Sequence, residues 1–141
     1  MPEHTFLAFD YGTRKIGVAI GNALTRHARP LSILTPVTRQ QRFDQIQALL
    51  LEWQPDVVVV GLPLTLDGQE QYASLQARRF ANQLHGRFGV NVVLVDERGS
   101  SLEAQELLGS NAPDDAMAAA VTLQRHLDAL DHHVAPGASP S

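Results

Sequence analysis

Apolar side chains recur along the chain at two spacings, one typical of strands and one typical of helices. A short apolar segment at 5–9 and alternating apolar positions at 16–20 predict two strands, and 31–34 is expected to form a third. The four consecutive valines at 57–60 predict a central strand, since a strand with both faces covered needs no polar positions. The apolar segment 90–95 predicts another buried strand.

Helical spacing dominates the rest of the sequence. Apolar residues at helical intervals predict one helix from the cap Thr38 to Trp53 and a second helix over about 71–88, closed by Gly89. The pattern also predicts a short helix over 100–108 and a last helix over 113–130. We therefore expect one domain over residues 1–130, followed by a disordered tail over 131–141 that is rich in His, Pro, Gly, Ala and Ser.

This order of elements predicts an α/β fold, a mixed sheet with helices packed on its faces. In open α/β sheets the functional crevice lies at the carboxyl ends of the strands. Asp10 and Glu97 follow predicted strands, and Asp115 falls at a predicted helix start. Taken singly, each has an ordinary explanation as a turn residue, a solvated charge or a neighbour of the helix cap Asp114. Taken together, they lie where one crevice could collect them.

Three carboxylates that converge repel one another and need a compensating cation. Hard divalent metals prefer oxygen ligands. The first hypothesis from the residues is therefore a metal-dependent nuclease that hydrolyses phosphodiester bonds. No histidine has convincing metal-ligand spacing, although His27, in what we expect to be a polar turn with Arg26 and Arg29, is a weaker candidate for touching nucleic acid.

Composition narrows the class of protein. The 141 residues fit one domain, and 44% hydrophobic residues can support a core. The absence of cysteine excludes disulfides and thiolate zinc sites. No apolar run is long enough for a membrane span, and we expect a cytoplasmic protein. The net charge of −4 disfavours a protein that coats nucleic acid in general. Ten of the eleven basic residues are arginines and only Lys15 is a lysine, which suits phosphate recognition or reflects the codon usage of the genome.

Several longer phrases in the sequence resemble the YqgF/RuvX family of RNase H-like proteins, which includes pre-16S rRNA nucleases and Holliday junction resolvases. The resemblance covers about residues 5–130. It includes Phe-Asp-Tyr-Gly-Thr-Arg-Lys-Ile-Gly-Val-Ala, Ala-Arg-Pro-Leu, Val-Gly-Leu-Pro-Leu, His-Gly-Arg-Phe-Gly-Val, Asp-Glu-Arg and Asp-Ala-Met-Ala-Ala. The order and spacing of these phrases together make the resemblance specific.

The resemblance implies an RNase H-like fold, a five-stranded mixed sheet flanked by helices. It implies that Asp10, Glu97 and Asp115 form a catalytic triad that holds Mg²⁺ or Mn²⁺ on the scissile phosphate. It also implies contacts to the substrate from the first turn, from the end of the fourth strand and from the segment after Glu97. The candidates are Arg14, Lys15, Gly61, Leu62, Pro63, Arg98, Ser100 and Ser101.

The sequence departs from the family pattern at two places. Gly99-Ser100-Ser101 keeps the hydroxyls but lacks the bulky apolar residue that commonly follows Asp-Glu-Arg. The connection from Glu103 to Asp115 is short and contains no Lys or Arg, where relatives usually carry a longer basic segment. We therefore expect weak, salt-sensitive binding of nucleic acid by the isolated protein.

The leading hypothesis is a nuclease that matures the 5′ end of pre-16S rRNA, with nucleic acid and possibly a ribosomal precursor as partners. Its main alternative is a resolvase of four-way DNA junctions, which requires a two-fold dimer. A nucleic-acid-binding module without catalysis and an actin-type ATPase remain further alternatives. No dimer surface stands out in the sequence, so we expect a monomer or a weak homodimer.

Overall fold

The protein forms a five-stranded mixed sheet in a computed structural model that describes residues 5–97 and 115–138. Three helices flank the sheet in these ranges. The strands are β1 (Thr5–Tyr11), β2 (Ile16–Asn22), β3 (His27–Leu34), β4 (Val57–Leu62) and β5 (Val92–Asp96). The helices are α1 (Arg39–Trp53), α2 (Tyr72–Phe88) and α3 (Asp115–Ala138). The expected α/β architecture is confirmed.

The strand order is β3-β2-β1-β4-β5. The first three strands are antiparallel, because β1, β2 and β3 follow one another through turns. β4 pairs in parallel with both β1 and β5. The four valines therefore occupy a central parallel strand, as their uninterrupted apolar character predicts. β1 and β4 run in the same direction in the middle of the sheet, so their carboxyl ends lie together.

Alternation along β1 divides the core into two layers. Leu7 and Phe9 point towards α1 and α2 and pack with Phe43, Ile46 and Phe80. The intervening Phe6 and Ala8 point to the opposite face, where α3 covers the sheet with Ala119, Ala120, Leu123 and Leu127. Continuing this alternation places Asp10 on the α3 face and Tyr11 on the face of α1 and α2.

Glycines in β2 let α3 approach the sheet closely. A Cβ atom built on Gly17 would lie 2.8 Å from the backbone nitrogen of Ala116, and it would overlap the backbone carbonyl of Asp115. A Cβ on Gly21 would lie 2.8 Å from Cδ2 of Leu123. The α3 backbone therefore rests directly on β2, which explains why the sequence places small residues at these positions.

The helix ends follow the predicted signals. The Thr38 side chain accepts a hydrogen bond from the Gln41 backbone nitrogen at 3.1 Å and caps α1. Gly89 adopts a left-handed conformation with φ 67° and ends α2. Within the described ranges, no helix is both long enough and apolar enough to cross a bilayer.

Three details differ from the sequence prediction. β3 begins at His27, so His27 and Arg29 lie in a strand rather than in a turn. His27 pairs with Asn22, at the opposite end of the sheet from Asp10, and so lies away from the acidic crevice.

β5 was expected to be a buried strand, but it lies at one edge of the sheet and is only partly buried. α3 continues to Ala138 and so extends from the predicted helix over 113–130 into the segment 131–141 that was expected to be a disordered tail. Residues 139–141 of that tail, and the short helix expected over 100–108, lie outside the described residues.

Candidate active site

Asp10 lies near the carboxyl end of β1, in the middle of the sheet. Its backbone is held between two strands, since β1 pairs with β2 on one side and with β4 on the other. Asp10 is directly opposite Gly17 in the antiparallel register. Its side chain is partly buried on the face that α3 covers. The sheet therefore holds this carboxylate rigidly. Asp10 is a strand residue, so the explanation of Asp10 as an ordinary turn residue does not apply.

Glu97 directly follows β5 and is 9% exposed. Its backbone nitrogen donates a hydrogen bond to the Leu62 carbonyl at 3.1 Å, which continues the β4–β5 pairing by one step. The Glu97 carboxyl group interacts with that of Asp10, two strands away, across β4. The structure therefore brings together two of the three predicted carboxylates and rules out Glu97 as an ordinary solvated charge.

Gly61, in β4, provides the space that the Glu97 side chain occupies. A Cβ built on Gly61 would lie 2.8 Å from Cδ of Glu97. Any larger residue at this position would displace the carboxylate from its place beside Asp10. Gly61 therefore leaves room for the Glu97 side chain, and its contact with the substrate stays a prediction.

Gly61→Ala should therefore reduce activity while leaving the fold intact. The added methyl meets the flexible end of a side chain rather than backbone, so Glu97 can move aside without unfolding the sheet. We expect cleavage of nucleic acid to fall by about a hundredfold, the usual cost of an ångström-scale misplacement in an active site. The unfolding midpoint should change little. Equal activity of Gly61→Ala and wild type would contradict this role for Gly61.

Asp115, the third predicted carboxylate, begins α3, as the sequence predicts. Its backbone rests on Gly17, which is the partner of Asp10 in the β1–β2 register. Its negative charge raises the pKa of Asp10. The end of β1, the residue after β5 and the start of α3 therefore bring Asp10, Glu97 and Asp115 together, although these residues are far apart in the sequence.

Burial and neighbouring negative charge raise the pKa values of both Asp10 and Glu97. Burial raises the pKa of Asp10, an interaction with Glu97 lowers it, and the charge of Asp115 raises it again, with a net upward shift. Burial and the charge of Asp10 raise the pKa of Glu97 to about 9. Pairs of carboxyl groups that share one buried site are a recurrent feature of catalytic centres, where such shifts concentrate.

The metal-free protein should consequently lose stability as the pH rises. The pKa of Glu97 is raised from an ordinary value of 4.5 to about 9, so its contribution to stability is fully present below the unfolded value. That contribution is lost progressively as the pH rises towards about 9, because the unfolded chain releases the proton more readily. We expect a loss on the order of a few kcal/mol, measured by urea unfolding in chelator between pH 5 and 9.

Glu97→Gln should flatten this pH dependence, since the amide does not titrate. Glu52→Gln, which removes an exposed carboxylate from α1, is the matched control and should keep the wild-type slope. Identical slopes in Glu97→Gln and wild type would show that another group is responsible.

The donor set fits a divalent cation. Oε2 of Glu97 is buried and has no hydrogen-bond partner among the described residues, so an oxygen ligand is left available. A cation would stabilise the charged carboxylates and so oppose the effects of burial and of neighbouring negative charge on both pKa values. Over residues 5–97 and 115–130, no group of three acidic or histidine side chains is already arranged to hold a metal ion.

Arg125 is a residue near the site that sequence reasoning missed. It lies on α3, and its Nη1 donates a hydrogen bond to the backbone carbonyl of Asp96 at 3.2 Å. Its charge lowers the pKa of Glu97 and so opposes the effects of burial and of Asp10. The sequence offered no signal for it, because Arg125 is two residues from the core positions Leu123 and Leu127, and residues two apart on a helix do not share a face.

The predicted substrate contacts are placed unevenly. Arg14 and Lys15 are exposed in the turn between β1 and β2, at the same end of the sheet as Asp10. Leu62 and Pro63 are half-buried at the end of β4, and the Pro63 carbonyl accepts a hydrogen bond from Ser74 of α2. Arg98, Ser100 and Ser101 lie outside the described residues.

The loop after β4 resembles a closed turn rather than a phosphate cradle. The Thr65 backbone nitrogen donates a hydrogen bond to the Gln69 carbonyl at 3.0 Å, and the Gly68 nitrogen donates to the Thr65 carbonyl at 2.9 Å. The Gln69 nitrogen donates to Oγ1 of Thr65 at 3.0 Å. Gly68 has φ 88°, which the turn requires. These amides are used within the loop, which favours a plain turn at Asp67-Gly68 over a loop whose amides bind phosphate.

Comparison with protein families and sequences finds similar proteins over nearly the whole chain. The family model RuvX, described as Holliday junction resolvase, matches residues 4–129. A Bordetella parapertussis protein is 71% identical over 130 residues, covering 92% of this chain and 98% of its own length. A Burkholderia vietnamiensis protein is 51% identical over 139 residues, covering 93% of each chain. Both carry the name "Putative pre-16S rRNA nuclease".

Two junction resolvases are among the solved structures that share this fold. Thermus thermophilus RuvC, in complex with a Holliday junction substrate, superposes with a TM-score of 0.55 at 20% identity, covering 92% of this chain and 96% of its own. Fowlpox virus resolvase, in complex with Holliday junction DNA, gives a TM-score of 0.56 at 14% identity, covering 89% and 98%. At these identities the similarity establishes the RNase H-like fold that the sequence predicts.

Proposed function

Because this chain belongs to the RuvX family, we propose that it is a nuclease that hydrolyses phosphodiester bonds and matures the 5′ end of pre-16S rRNA. The observation that carries the proposal is the buried pair of Asp10 and Glu97 with its raised pKa values, joined by Asp115 at the start of α3. The names of relatives at 71% and 51% identity support pre-16S rRNA as the substrate.

Asp10, Glu97 and Asp115 would hold Mg²⁺ or Mn²⁺. When bound, such a cation supplies an activated water and stabilises the developing charge on the leaving oxygen. The protein positions its carboxylates through the central strands, and Gly61 and Gly17 keep the space that this arrangement needs. Arg125 tempers the repulsion between the carboxylates.

Arg14 and Lys15 complete the proposed site as substrate contacts. Both are exposed in the turn beside the end of β1, where a phosphate could be reached without desolvating the protein. Arg98, Ser100 and Ser101 are proposed contacts on the basis of the family resemblance. We also propose a cytoplasmic location, a domain over 1–130, and a monomer or weak homodimer with a ribosomal precursor as possible partner.

The second candidate function is resolution of four-way DNA junctions. The family description and the fold shared with two junction resolvases favour it. A resolvase must present two active sites with two-fold symmetry, so its test includes the oligomeric state on DNA.

Cleavage of three substrates separates these functions. Wild-type protein should be incubated with a pre-16S 5′-leader RNA, an unrelated single-stranded RNA of equal length and a mobile four-way DNA junction, each with Mg²⁺, Mn²⁺ or chelator. We expect metal-dependent cuts in the leader RNA. Symmetric cuts confined to the junction would overturn the rRNA proposal in favour of the resolvase. No cleavage of any substrate by the protein alone or with precursor ribosomal particles would contradict both.

A further inference from the structure

A cavity of about 200 Å³ lies between α1 and α2, on the face of the sheet opposite α3. We call it the arginine groove. Its polar lining consists of Arg39, Arg42, Arg79, Gln76 and Gln83, and Tyr11 and Phe80 form its base. The three guanidinium groups come from both helices, so the groove exists only in the folded protein.

The charge of this groove is not compensated by the described part of the protein. Arg39, Arg42 and Arg79 form no ion pair within residues 5–97 and 115–138. Nε of Arg42 is buried and has no hydrogen-bond acceptor there. By contrast, the neighbouring Arg78 forms two hydrogen bonds with Glu70, the shorter at 2.7 Å. Three like charges around one cavity repel, and an arginine nitrogen buried without an acceptor is costly. An anion in the groove would relieve both.

The groove adjoins the acidic centre through β1. The Arg42 guanidinium lies 5.4 Å from the centre of the Tyr11 ring, which packs on Phe80 at 4.6 Å. Tyr11 directly follows Asp10, and the two side chains point to opposite faces of the sheet. The acidic centre and the groove therefore meet at the same end of β1, with the exposed turn of Arg14 and Lys15 beside them.

We propose that the arginine groove binds backbone phosphates of the RNA strand that flank the cleaved bond. Arginine matches phosphate oxygens with paired hydrogen bonds, and Gln76 and Gln83 add neutral donors. The groove provides a grip on α1 and α2, which the short connection from Glu103 to Asp115 does not, because that connection contains no Lys or Arg. This inference rests on the proposed nuclease function and identifies where its substrate strand runs.

Adjacent residues of α2 provide a matched pair of variants. Arg79→Gln removes one groove charge, whereas Arg78→Gln removes an equal charge that Glu70 already neutralises. Binding of labelled single-stranded leader RNA should be measured in chelator, without cleavage, over a series of salt concentrations. Each lost phosphate contact lowers the slope of log K against log salt by about 0.7 for single strands. We expect Arg79→Gln to bind more weakly than wild type with a slope lower by about 0.7, and Arg78→Gln to match wild type. Arg39→Gln/Arg79→Gln should bind about tenfold more weakly with a slope lower by about 1.4.

The outcomes separate the groove from the nuclease function. Weakened binding by Arg39→Gln/Arg79→Gln, with partial recovery in Arg39→Lys/Arg79→Lys, supports the groove even if wild type cuts no RNA. If wild type cuts RNA and Arg39→Gln/Arg79→Gln binds with the wild-type slope, the nuclease function stands and the groove is overturned. An equal loss of RNA binding in Arg78→Gln would also overturn the groove, since binding would then depend only on the total charge of the protein.

Discussion

Asp10→Asn abolishes cleavage, with a fall in rate of about a thousandfold or more, while the protein stays folded. The backbone of Asp10 is held between two strands, which places its carboxylate next to that of Glu97. The amide keeps the shape of the side chain but removes the negative charge that a divalent cation requires. The measurement is the single-turnover rate of cleavage of the leader RNA in Mg²⁺ or Mn²⁺.

The stability of Asp10→Asn provides the second half of this prediction. Removing the Asp10 charge takes away one of the causes that raise the pKa of Glu97, so the metal-free variant should be at least as stable as wild type at pH 8. Asp44→Asn is the control, because it removes an exposed carboxylate whose described contact is a hydrogen bond from Gln40. Wild-type cleavage by a folded Asp10→Asn protein would refute the catalytic role of Asp10.

Gly17→Ala should destabilise the protein by about 3 kcal/mol and also impair activity. The new Cβ would overlap the Asp115 carbonyl and lie 2.8 Å from the Ala116 nitrogen. Both are backbone atoms, so the start of α3 must move away from β2, and overpacking of this kind is costly. The same movement displaces Asp115 from Asp10, and we expect cleavage to fall by about a hundredfold. Urea unfolding and the cleavage rate measure the two effects.

Gly86→Ala is the matched control for this prediction. Gly86 lies in α2, and a Cβ there would meet nothing within 4 Å. Alanine should stabilise that helix by about 0.5–1 kcal/mol, because glycine loses more conformational freedom on folding. If Gly17→Ala and Gly86→Ala had the same stability, the close approach of α3 to β2 would not constrain the fold.

Most of the fold could be predicted from the sequence, because local patterns coincide with tertiary roles. The valines of β4 are apolar at every position since both faces of a central strand are covered. Thr38 and Gly89 marked helix ends through hydrogen bonding and backbone conformation, both of which are local properties. β3 was harder to predict, since an edge strand exposes much of its surface and carries few apolar residues.

The candidate site was predictable only in part. Asp10, Glu97 and Asp115 stand at element ends, which a sequence pattern can reveal. The burial of Glu97 against Gly61 and the position of Arg125 depend on packing between β4, β5 and α3, which no local pattern records. The arginine groove combines residues of two helices that meet only after both pack on the sheet.

The central claim is that Asp10, Glu97 and Asp115 take up a divalent cation, and calorimetric titration of Mn²⁺ into the metal-free protein tests it most directly. Since the pKa of Glu97 is raised to about 9, the protein holds a proton at pH 7 that the cation must displace. Titrations in buffers of different ionisation enthalpy should show binding to wild type with release of about one proton. Glu97→Gln should bind much more weakly and release no proton. Equal binding and equal proton release by wild type and Glu97→Gln, or no binding to either, would contradict the account.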